Sequence, residues 1–366
     1  MKRALEIIGK LYIGGAERVA RDIGFYADPE KFQIDYVVFG NDIGAYEADL
    51  SAKGCRIFHI PPPSDGYRAY CGNLRKLIRE NRYDIVHAHT MFNSGWAMLV
   101  AKKEDVPIRI AHSHTIRGPE RRSVAQNLYE KTMRRVILHD ATDLIGCGQA
   151  AGEWLFGRKA FQKRGQVILN GIDTGRFMYS ESDRKKTREA LGLTDRFVIG
   201  HVGHMFPVKN QAFLIRLLPE LIKKRAGATL LFLGDGQDRP ALNELACQLG
   251  VEDYVIMTGN VPDVWRYLSA MDVFAFPSLY EGMPLAIVEA QANGLPCVLS
   301  DRIPKDVFLT EQVTPLSLEA DSKSWVSALL RAKRGDPEKS RSILRALELD
   351  TKSAMNRIYA IYSGVK

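Results

Sequence analysis

Two carboxylates on either side of a proline-containing loop are the strongest chemical signal in the sequence. Glu281 and Glu289 are separated by seven residues, and Gly282, Met283 and Pro284 lie between them. A proline favours the first turn of a helix because it has no N–H group to leave unpaired there. A loop followed by a helix from Pro284 would direct backbone N–H groups at an anion such as a diphosphate. Glu289 could then bind a ribose diol, and Glu281 could contact a sugar.

A second polar segment follows the predicted strand Phe197–Val202. It carries His204 and Lys209, the latter just before a predicted helix. A cation in such a loop can neutralise charge that builds up on a leaving diphosphate. Taken alone, Lys209 could equally be a solvated lysine at the start of a helix.

Four histidines end two further predicted strands of the first half. Because side chains alternate along a strand, His87 and His89 share one face, and so do His112 and His114. Ligands of open α/β sheets bind at the carboxyl ends of the strands. The four rings could form a metal site, but no Asp or Glu spacing supports one, and we expect no metal.

Short β-branched runs alternate with amphipathic segments from end to end, which indicates α/β domains with parallel sheets. The chain has 366 residues, enough for two such domains. A polar stretch, Tyr179 to Arg188, is interpreted as a connector between them. The predicted strands are Ala4–Ile8, Ile34–Phe39, Arg56–Ile60, Ile85–His89, Ile108–His112, Leu144–Cys147, Val167–Leu169, Phe197–Val202, Thr229–Leu233, Val255–Thr258, Val273–Phe276 and Cys297–Leu299. The predicted helices are Ala16–Ala27, Leu74–Asn81, Trp96–Lys103, Val124–Leu138, Asn210–Lys224, Pro240–Leu249, Pro284–Ala292 and Lys323–Lys333.

Composition narrows the class of protein further. Residues 1–170 hold 26 Lys and Arg against 19 Asp and Glu, whereas residues 171–366 hold 25 against 24. The basic half suits an anionic partner, and because no nucleic-acid motif is present we favour a membrane surface over nucleic acid. Five scattered cysteines form no Cys-x-x-Cys pair, which favours reduced thiols in a cytoplasm. No apolar run is long enough for a transmembrane helix, and Glu6 and Lys10 argue against a signal peptide.

These segments together resemble the retaining glycosyltransferases of family 4, most closely those of bacterial exopolysaccharide and capsule synthesis. The resemblance runs nearly the full length. It includes the Glu281-to-Glu289 segment, the Gly14-Gly15 loop after the first strand, and Asn170-Gly171-Ile172-Asp173, a turn between the family's domains. It implies the GT-B fold, an α/β architecture of two doubly wound, Rossmann-like domains facing a cleft. Residues 1–175 would bind the acceptor, residues 176–350 the nucleotide sugar, and residues 351–366 would form a C-terminal helix that in the family often crosses back to the first domain.

The resemblance also implies roles for individual residues. His114 matches the family's histidine near the transferred sugar, and it forms the predicted catalytic set with Glu281 and Lys209. His204 stands where the family has arginine, which puts the activity or its pH range in question. No metal or other cofactor is implied, because the nucleotide sugar is a substrate. The predicted donor-binding residues are Gly14, Gly15, His204, Lys209, Gly259, Asn260, Val261, Glu281, Gly282, Met283, Pro284, Leu285 and Glu289.

The implied partners are a UDP-linked sugar, a glycan acceptor on a polyprenyl diphosphate, and the anionic inner face of the cell membrane. The candidate membrane surface is basic, and it consists of Arg117, Arg121, Arg122, Lys131, Arg134 and Arg135, with a second group of Trp154, Phe156, Arg158, Lys159, Phe161, Lys163 and Arg164. A solvated face would account for the same charges. Two other functions stay open, a nucleotide-sugar 2-epimerase on the same fold and a non-catalytic sugar-nucleotide-binding subunit. A dinucleotide oxidoreductase is disfavoured because the first loop lacks Gly-x-Gly-x-x-Gly.

Overall fold

A computed structural model describes residues 1–12, 14–115 and 123–364. Its chain divides into two compact units, one formed by Met1–Gly171 with Thr351–Lys366 and the other by Ile172–Asp350. Each unit contains one parallel sheet, of seven strands in the first and six in the second. The predicted pair of doubly wound parallel sheets is therefore confirmed. The units change at residue 172, rather than after residue 175, and the C-terminal helix is grouped with the first unit.

The first sheet has the strand order β3-β2-β1-β4-β5-β6-β7. The chain moves outward from β1 to β3 on one side and then returns to place β4 on the other side of β1. The junction of β1 and β4 is therefore the topological switch point, where ligands of such sheets bind beyond the carboxyl ends of the strands. The strands are β1 (Lys2–Ile7), β2 (Phe32–Phe39), β3 (Ile57–Ile60), β4 (Ile85–Ala88), β5 (Ile108–Ser113), β6 (Asp143–Gly146) and β7 (Gly165–Val167).

Helices cover both faces of this sheet, so strand residues of either parity are buried. The helices before residue 171 are α1 (Gly15–Phe25), α2 (Glu47–Ala52), α3 (Tyr67–Asn81), α4 (Ser94–Lys103), α5 (Val124–Asp140), α6 (Gln149–Phe156) and α7 (Arg158–Arg164). The last helix of the chain, α15 (Thr351–Ser363), packs with α1 on one face, where Ile358 and Tyr362 join the apolar core. This face also carries Ala4, Ile85 and Ile110.

The second sheet repeats the plan with the order β10-β9-β8-β11-β12-β13, so that its switch point lies between β8 and β11. The strands are β8 (Phe197–Val202), β9 (Ala228–Leu233), β10 (Val255–Met257), β11 (Val273–Phe276), β12 (Cys297–Ser300) and β13 (Val313–Leu316). The helices are α8 (Glu181–Leu191), α9 (Gln211–Lys224), α10 (Arg239–Gln248), α11 (Val264–Ala270), α12 (Leu285–Ala292), α13 (Ser322–Arg331) and α14 (Pro337–Ala346).

The expected connector at residues 179–188 is wrong, because most of this stretch belongs to α8. Ser180 caps the helix by accepting a hydrogen bond from the backbone N–H of Asp183. Two arginines of α8 then bind one carboxylate, with Arg184 at 2.6 Å and Arg188 at 2.7 Å from Asp272. Charge had made the segment look like a linker, whereas its charged side chains attach it to the start of β11.

The other predicted elements are present. All twelve predicted strands occur with ends shifted by at most two residues, whereas β13 was not predicted. The helices α2, α6, α7, α11 and α14 were also missed. Strand patterns therefore identified all the central strands, whereas helix patterns identified only part of the helical layers.

Candidate active site

The candidate residues of both units lie where the fold favours ligand binding. In the second unit, His204 and Lys209 follow β8, and Glu281 follows β11, the two strands at the switch point. In the first unit, the Gly14-Gly15 loop follows β1, while His89 directly follows β4. Chain topology thus brings residues that are distant in sequence to one edge of each sheet.

Two hydrogen bonds join the loops that follow β8 and β11. The backbone N–H of Leu279 donates to the carbonyl of Val208 at 2.8 Å. The side-chain amide of Asn210 donates to the carbonyl of Pro277 at 3.2 Å. Asn210 has a φ of +55°, a left-handed conformation that asparagine tolerates better than most residues. The two loops therefore act as one structural unit.

An ion pair occupies the junction of these loops. Nζ of Lys209 lies 2.7 Å from Oε1 of Glu281, and both side chains are largely buried, with 18% and 11% exposed. The same Nζ lies 5.1 Å from the centre of the Phe276 ring at the end of β11. The predicted catalytic lysine and glutamate are thus in direct contact, and the aromatic face limits where the lysine can move.

Helix α12 begins one residue later than predicted. Pro284 is the N-cap, with an extended conformation, and Leu285 is the first helical residue. The first N–H groups of a helix have no partner within the helix, so this end still favours an anion. Glu289 lies on α12 and is 5% exposed, while Met283 and Leu285 are buried beside it. Gly282 is half-buried in the loop.

A histidine and a glutamine support the loop after β8, and sequence reasoning had given neither a role. Buried His201 lies with Nδ1 3.0 Å from the carbonyl of Ala275, and its ring stacks on Phe276. Gln211 lies 3.3 Å from Nε2 of His201, and its amide donates to the carbonyl of His204 at 3.0 Å. Burial lowers the pKa of His201 to about 3, so the ring is neutral. His204 stands where the family has arginine, and the centre of its ring lies 5.7 Å from that of Phe206.

Glycines allow three strand ends to approach one another in the second unit. A Cβ atom on Gly234 would lie 2.2 Å from the carbonyl oxygen of Gly203, and Gly234 has a φ of +127°. The N–H of Gly234 donates to the carbonyl of Gly259 at 2.9 Å. Gly259 is buried, Asn260 is exposed and Val261 is half-buried after β10. The segment expected to contact the nucleotide base is thus held against the strand end beside it.

The glycine pair of the first unit begins a helix, as a phosphate-facing loop would. Gly14 is the N-cap of α1 in an extended conformation, and Gly15 is its first residue. The carboxylate of Glu17 lies over Gly14, where a Cβ atom would approach Oε2 to 2.3 Å. The helix therefore has an acidic residue in its first turn.

The four histidines of the first sheet meet on the face covered by α1 and α15, and Glu6 lies among them. The strand register pairs Glu6 with His87, so the carboxylate points to the same side of the sheet. Nε2 of His89 lies 2.8 Å from Oε2 of Glu6, and Nδ1 of His89 lies 2.7 Å from Nε2 of His114. One carboxylate thus reaches the predicted catalytic histidine through a single ring.

Tyr362 of α15 starts a second path from the same carboxylate. Its hydroxyl contacts Oε1 of Glu6 and lies 2.8 Å from Nδ1 of His87. Nε2 of His87 lies 3.2 Å from Nδ1 of His112. The histidine rings stack in pairs, with centroids of His112 and His114 4.0 Å apart. These residues form a polar cluster of Glu6, His87, His89, His112, His114 and Tyr362 inside an otherwise apolar layer.

Electrostatics keep the carboxylate charged and three of the rings neutral. Burial alone would raise the pKa of Glu6, but the charge of His87 and hydrogen bonds from His87 and His89 lower that pKa to about 2. Burial, reinforced by His87, lowers the pKa of His89 to about 4. Burial and the neighbouring rings hold the pKa values of His112 and His114 well below the usual range. The cluster is therefore suited to neutral hydrogen bonding at physiological pH.

The geometry of three rings is also compatible with a single metal ion. One nitrogen each of His87, His89 and His112 lie within 4.8 Å of one another. However, the ring nitrogens that face one another already lie within hydrogen-bonding distance of a neighbouring ring, Glu6 or Tyr362. A metal ion would have to replace at least one of these hydrogen bonds.

Sequence reasoning had missed Glu6 and the role of Tyr362. Glu6 had served only as an argument against a signal peptide, and Tyr362 only as part of an apolar helical face. A signal was nevertheless present, because a carboxylate between Leu5 and Ile7, in the buried part of β1, needs compensating partners. The partners could not be identified, since one of them is 356 residues away.

The predicted basic surface is only partly of the expected kind. Arg117, Arg121 and Arg122 lie outside the described residues. Arg134 donates to the backbone carbonyls of Trp154 and Leu155, and thereby joins α5 to α6. Phe156 and Phe161 are buried in the core, so neither can face a membrane. The residues of the surface that are exposed in the structure are Lys131, Arg135, Arg158, Lys159, Lys163 and Arg164.

Comparison with known proteins identifies the family. Residues 13–176 match the model described as Glycosyltransferase Family 4, and residues 196–333 match Glycosyl transferases group 1. The putative glycosyltransferase EpsF of Bacillus subtilis is 33% identical over 99% of this chain and 96% of its own. A UDP-Gal:alpha-D-GlcNAc-diphosphoundecaprenol alpha-1,3-galactosyltransferase of Escherichia coli is 28% identical over 71% of this chain and 68% of its own.

Solved structures agree on the fold. The structure of Anabaena Alr3699/HepE in complex with UDP-glucose superposes with a TM-score of 0.82 over the full length of both chains, at 21% identity. At this identity the likeness supports the GT-B architecture and no more. The near full-length match to EpsF and the two family models carry the assignment of family. This chain is therefore a glycosyltransferase of family 4, group 1.

Proposed function

We propose that the protein is a retaining glycosyltransferase that moves a sugar from a UDP-sugar to a hydroxyl of a polyprenyl-diphosphate-linked glycan, during exopolysaccharide or capsule synthesis. The second unit binds the donor, and the first unit binds the acceptor. Two relatives support these choices. HepE was solved with UDP-glucose, and the Escherichia coli relative is named for a UDP-galactose donor and an undecaprenol diphosphate acceptor.

The contact between Lys209 and Glu281 is the observation that carries the proposal. It places a cation and a carboxylate at the switch point of the second sheet, beside the N-terminus of α12. In the proposed complex, Lys209 and the helix N-terminus bind the diphosphate. Glu281 contacts the donor sugar, and Glu289 accepts hydrogen bonds from the ribose hydroxyls. The backbone of Gly259, Asn260 and Val261 contacts the base.

Retention of configuration follows in this proposal from attack on the same face as the leaving group. The acceptor hydroxyl bonds to the anomeric carbon while the bond from that carbon to the diphosphate oxygen breaks. The diphosphate leaves with the electron pair and takes the proton of the hydroxyl. The protein contributes position and charge stabilisation, chiefly through Lys209, and His114 orients the transferred sugar.

Helix α5 supports a peripheral membrane location in the proposal. Val124 and Leu128 are 85% and 63% exposed, which is unusual for large apolar side chains. Leu128, Lys131 and Arg135 follow Val124 at the i+4, i+7 and i+11 positions, so the exposed Lys131 and Arg135 continue the same helical face. Apolar residues followed by basic ones on one face suit an anionic bilayer surface. Among the described residues, no helix combines the length and apolar character that a membrane crossing requires.

The proposal is tested by incubating the purified protein with labelled UDP-sugars and a lipid-linked glycan acceptor, beside Lys209→Ala. We expect an α-linked product from at least one donor, with strongly reduced transfer in the variant. Lys224→Ala is the matched control, since Lys224 forms an ion pair with Glu220 at 3.1 Å on the surface of the same unit. Epimer formation without acceptor would favour the 2-epimerase, whereas nucleotide binding without turnover would favour a non-catalytic subunit. Either result, or an inverted product, would contradict the proposal.

A further inference from the structure

The polar cluster of the first unit allows the proton positions of its rings to be deduced from one fixed charge. Glu6 is fully buried, and its two carboxylate oxygens have different hydrogen-bond partners, His89 at Oε2 and Tyr362 at Oε1, while Nδ1 of His87 lies 3.4 Å from Oε2. An ionised carboxylate can only accept hydrogen bonds. Both partners must therefore donate to Glu6, and this requirement propagates outward through each partner in turn.

The first branch leads from Glu6 to His114. His89 donates to Glu6 from Nε2, so its neutral ring has no hydrogen on Nδ1. Nδ1 of His89 must then accept from Nε2–H of His114 at 2.7 Å. In a neutral His114 this leaves Nδ1 without a hydrogen. That atom is inaccessible to solvent and has no hydrogen-bond partner among the described residues.

The second branch leads from Glu6 to His112 by the same reasoning. Tyr362 donates its hydroxyl hydrogen to Glu6 and accepts from Nδ1–H of His87 at 2.8 Å. With a single hydrogen on His87, its Nε2 accepts from Nδ1–H of His112 at 3.2 Å. Nε2 of His112 is left as an acceptor, and within the described part of the chain it too has no partner. Each branch thus ends in an unpaired acceptor nitrogen.

We propose that Glu6 is a positioning residue that acts through His89 to hold His114 with Nδ1 as an unpaired hydrogen-bond acceptor, available to a hydroxyl of the sugar substrate once substrate binding reaches this buried atom. A hydroxyl can donate to such a nitrogen, whereas a phosphate or carbonyl oxygen cannot. The cluster therefore selects the hydroxyl-bearing part of the substrate over its phosphates. The part of this inference that concerns substrate rests on the proposed function, whereas the proton positions do not.

The proton positions are tested by nitrogen NMR of the full-length protein with labelled histidine, in which protonated and bare ring nitrogens differ in chemical shift. Histidine-to-glutamine variants assign the signals. We expect His114 to be protonated at Nε2 and bare at Nδ1, and His112 to show the opposite pattern. A hydrogen on Nδ1 of His114, or stoichiometric zinc bound by these rings, would overturn the inference. This measurement needs no change at Glu6, so it stands even if variants of Glu6 fold poorly.

Glu6→Gln tests whether the carboxylate controls the pattern. A glutamine side chain presents one accepting and one donating end, so it cannot accept from both His89 and Tyr362. We expect the tautomer of His114 or of His112 to reverse. Tyr36→Phe is the matched control. Tyr36 is paired with Glu6 in the neighbouring strand, and its buried hydroxyl donates to the carbonyl of Ala20, outside the histidine cluster. Both tautomers should persist in that control, and their persistence in Glu6→Gln would contradict the inference.

Kinetics then connect the pattern to the reaction. If Glu6→Gln reverses the tautomer of His114, we expect kcat to fall roughly tenfold, which is about the effect of one lost hydrogen bond. In a His114→Ala background, Glu6→Gln should lower kcat no further, because the two residues act in series. Additive losses would show a merely structural role for Glu6. If the wild-type tautomers are as deduced but no donor is used, the proposed function fails and the assignment of protons stands.

Discussion

The two units have the same topology around their switch points, yet they build their candidate sites in different ways. In the first unit the functional side chains project from strands or the residues directly after them, and they are fixed by one another inside the core. In the second unit they lie on loops and a helix start, and backbone hydrogen bonds and close glycine contacts hold the loops together. The first site is therefore held by contacts among its own functional side chains, whereas the second is held by its loop backbones together with the supporting side chains of Asn210 and Gln211.

In the proposed function, this difference suits the two units to two different tasks. Neutral rings that are held by one buried carboxylate offer hydrogen bonds of fixed direction, which suits recognition of hydroxyl groups. In the proposed function, the loops that carry Lys209 and Glu281 offer a cation to a diphosphate, which gains negative charge as it leaves. The difference also predicts that the units respond differently to acid, substitution and lipid.

Acidification should produce the largest difference between the units, because it should destabilise the first unit more than the second. Among the described residues, the first unit buries three histidines whose pKa is lowered, His89, His112 and His114, and the second buries one, His201. Unfolded histidines bind protons below about pH 6.5, whereas these folded rings do not, so each of them lowers the unfolding free energy as the pH falls below that value. The loss should be larger for the first unit, and it should continue until the folded rings titrate, near pH 4 for His89.

Hydrogen exchange at about pH 7 and pH 5.5, corrected for intrinsic amide rates, should therefore show the first unit opening before the second. A double variant His112→Gln/His114→Gln should narrow the difference between the units. Loss of protection in both units to the same extent would contradict the contrast.

Substitution of Lys209 should affect the second site more than any other single change there. Lys209→Ala removes the proposed diphosphate cation and should lower kcat by about 10²- to 10³-fold, with a smaller change in KM. Steady-state kinetics with the preferred UDP-sugar measure the effect, and Lys224→Ala should behave as wild type. Near-normal turnover in Lys209→Ala would place the diphosphate contact elsewhere.

Substitution of Glu289 should affect binding rather than the chemical step. Glu289→Gln keeps the shape of a side chain that is 5% exposed but weakens its hydrogen bonds to a ribose diol. We expect UDP to bind about 1.5–3 kcal/mol more weakly, or roughly 10- to 150-fold in Kd, by calorimetry. Glu220→Gln on the surface of the same unit is the control. An unchanged Kd in Glu289→Gln would remove Glu289 from the nucleotide site.

Membrane binding should depend on the first unit alone. Lys131→Glu/Arg135→Glu should reduce co-sedimentation with anionic liposomes by roughly 30-fold or more, since each basic residue near the surface contributes about 1 kcal/mol. Lys185→Glu/Lys186→Glu reverses two exposed charges of α8 in the second unit and should leave sedimentation unaffected. Binding should also weaken with salt. Equal loss in both variants would indicate an effect of net charge only.

The smallest expected effect concerns His204. His204→Arg restores the family's cation, and because arginine stays protonated we expect activity that is equal or a few-fold higher, and flatter between about pH 6 and 8. A pH–rate profile of kcat compares the variant with wild type. A collapse of activity would show that the imidazole, packed near Phe206, has a role that arginine cannot fill.

The two sites also differ in how far sequence could predict them. The loop site was accessible, because proline, glycine and charged residues in a short segment indicate a turn before a helix, and Lys209 and Glu281 do meet. The strand site was accessible only in part. Alternation placed the histidines in pairs, but the carboxylate that organises them lies on another strand, and Tyr362 lies on the last helix. Single-sequence patterns describe neighbours along the chain, whereas these partners meet only through strand order.

The pairing of Glu6 with Tyr362 has a consequence for synthesis on the ribosome. Strands β1 to β7 emerge first, but the helix that covers Glu6 and completes its hydrogen bonds emerges only after the whole second unit. Nascent chains usually fold domain by domain from the N-terminus. Here the first unit must wait, with one apolar face and the carboxylate of Glu6 uncovered, while residues 172–350 are synthesised. The final folding step of the first unit is therefore coupled to the synthesis of α15, which follows the whole second unit in sequence.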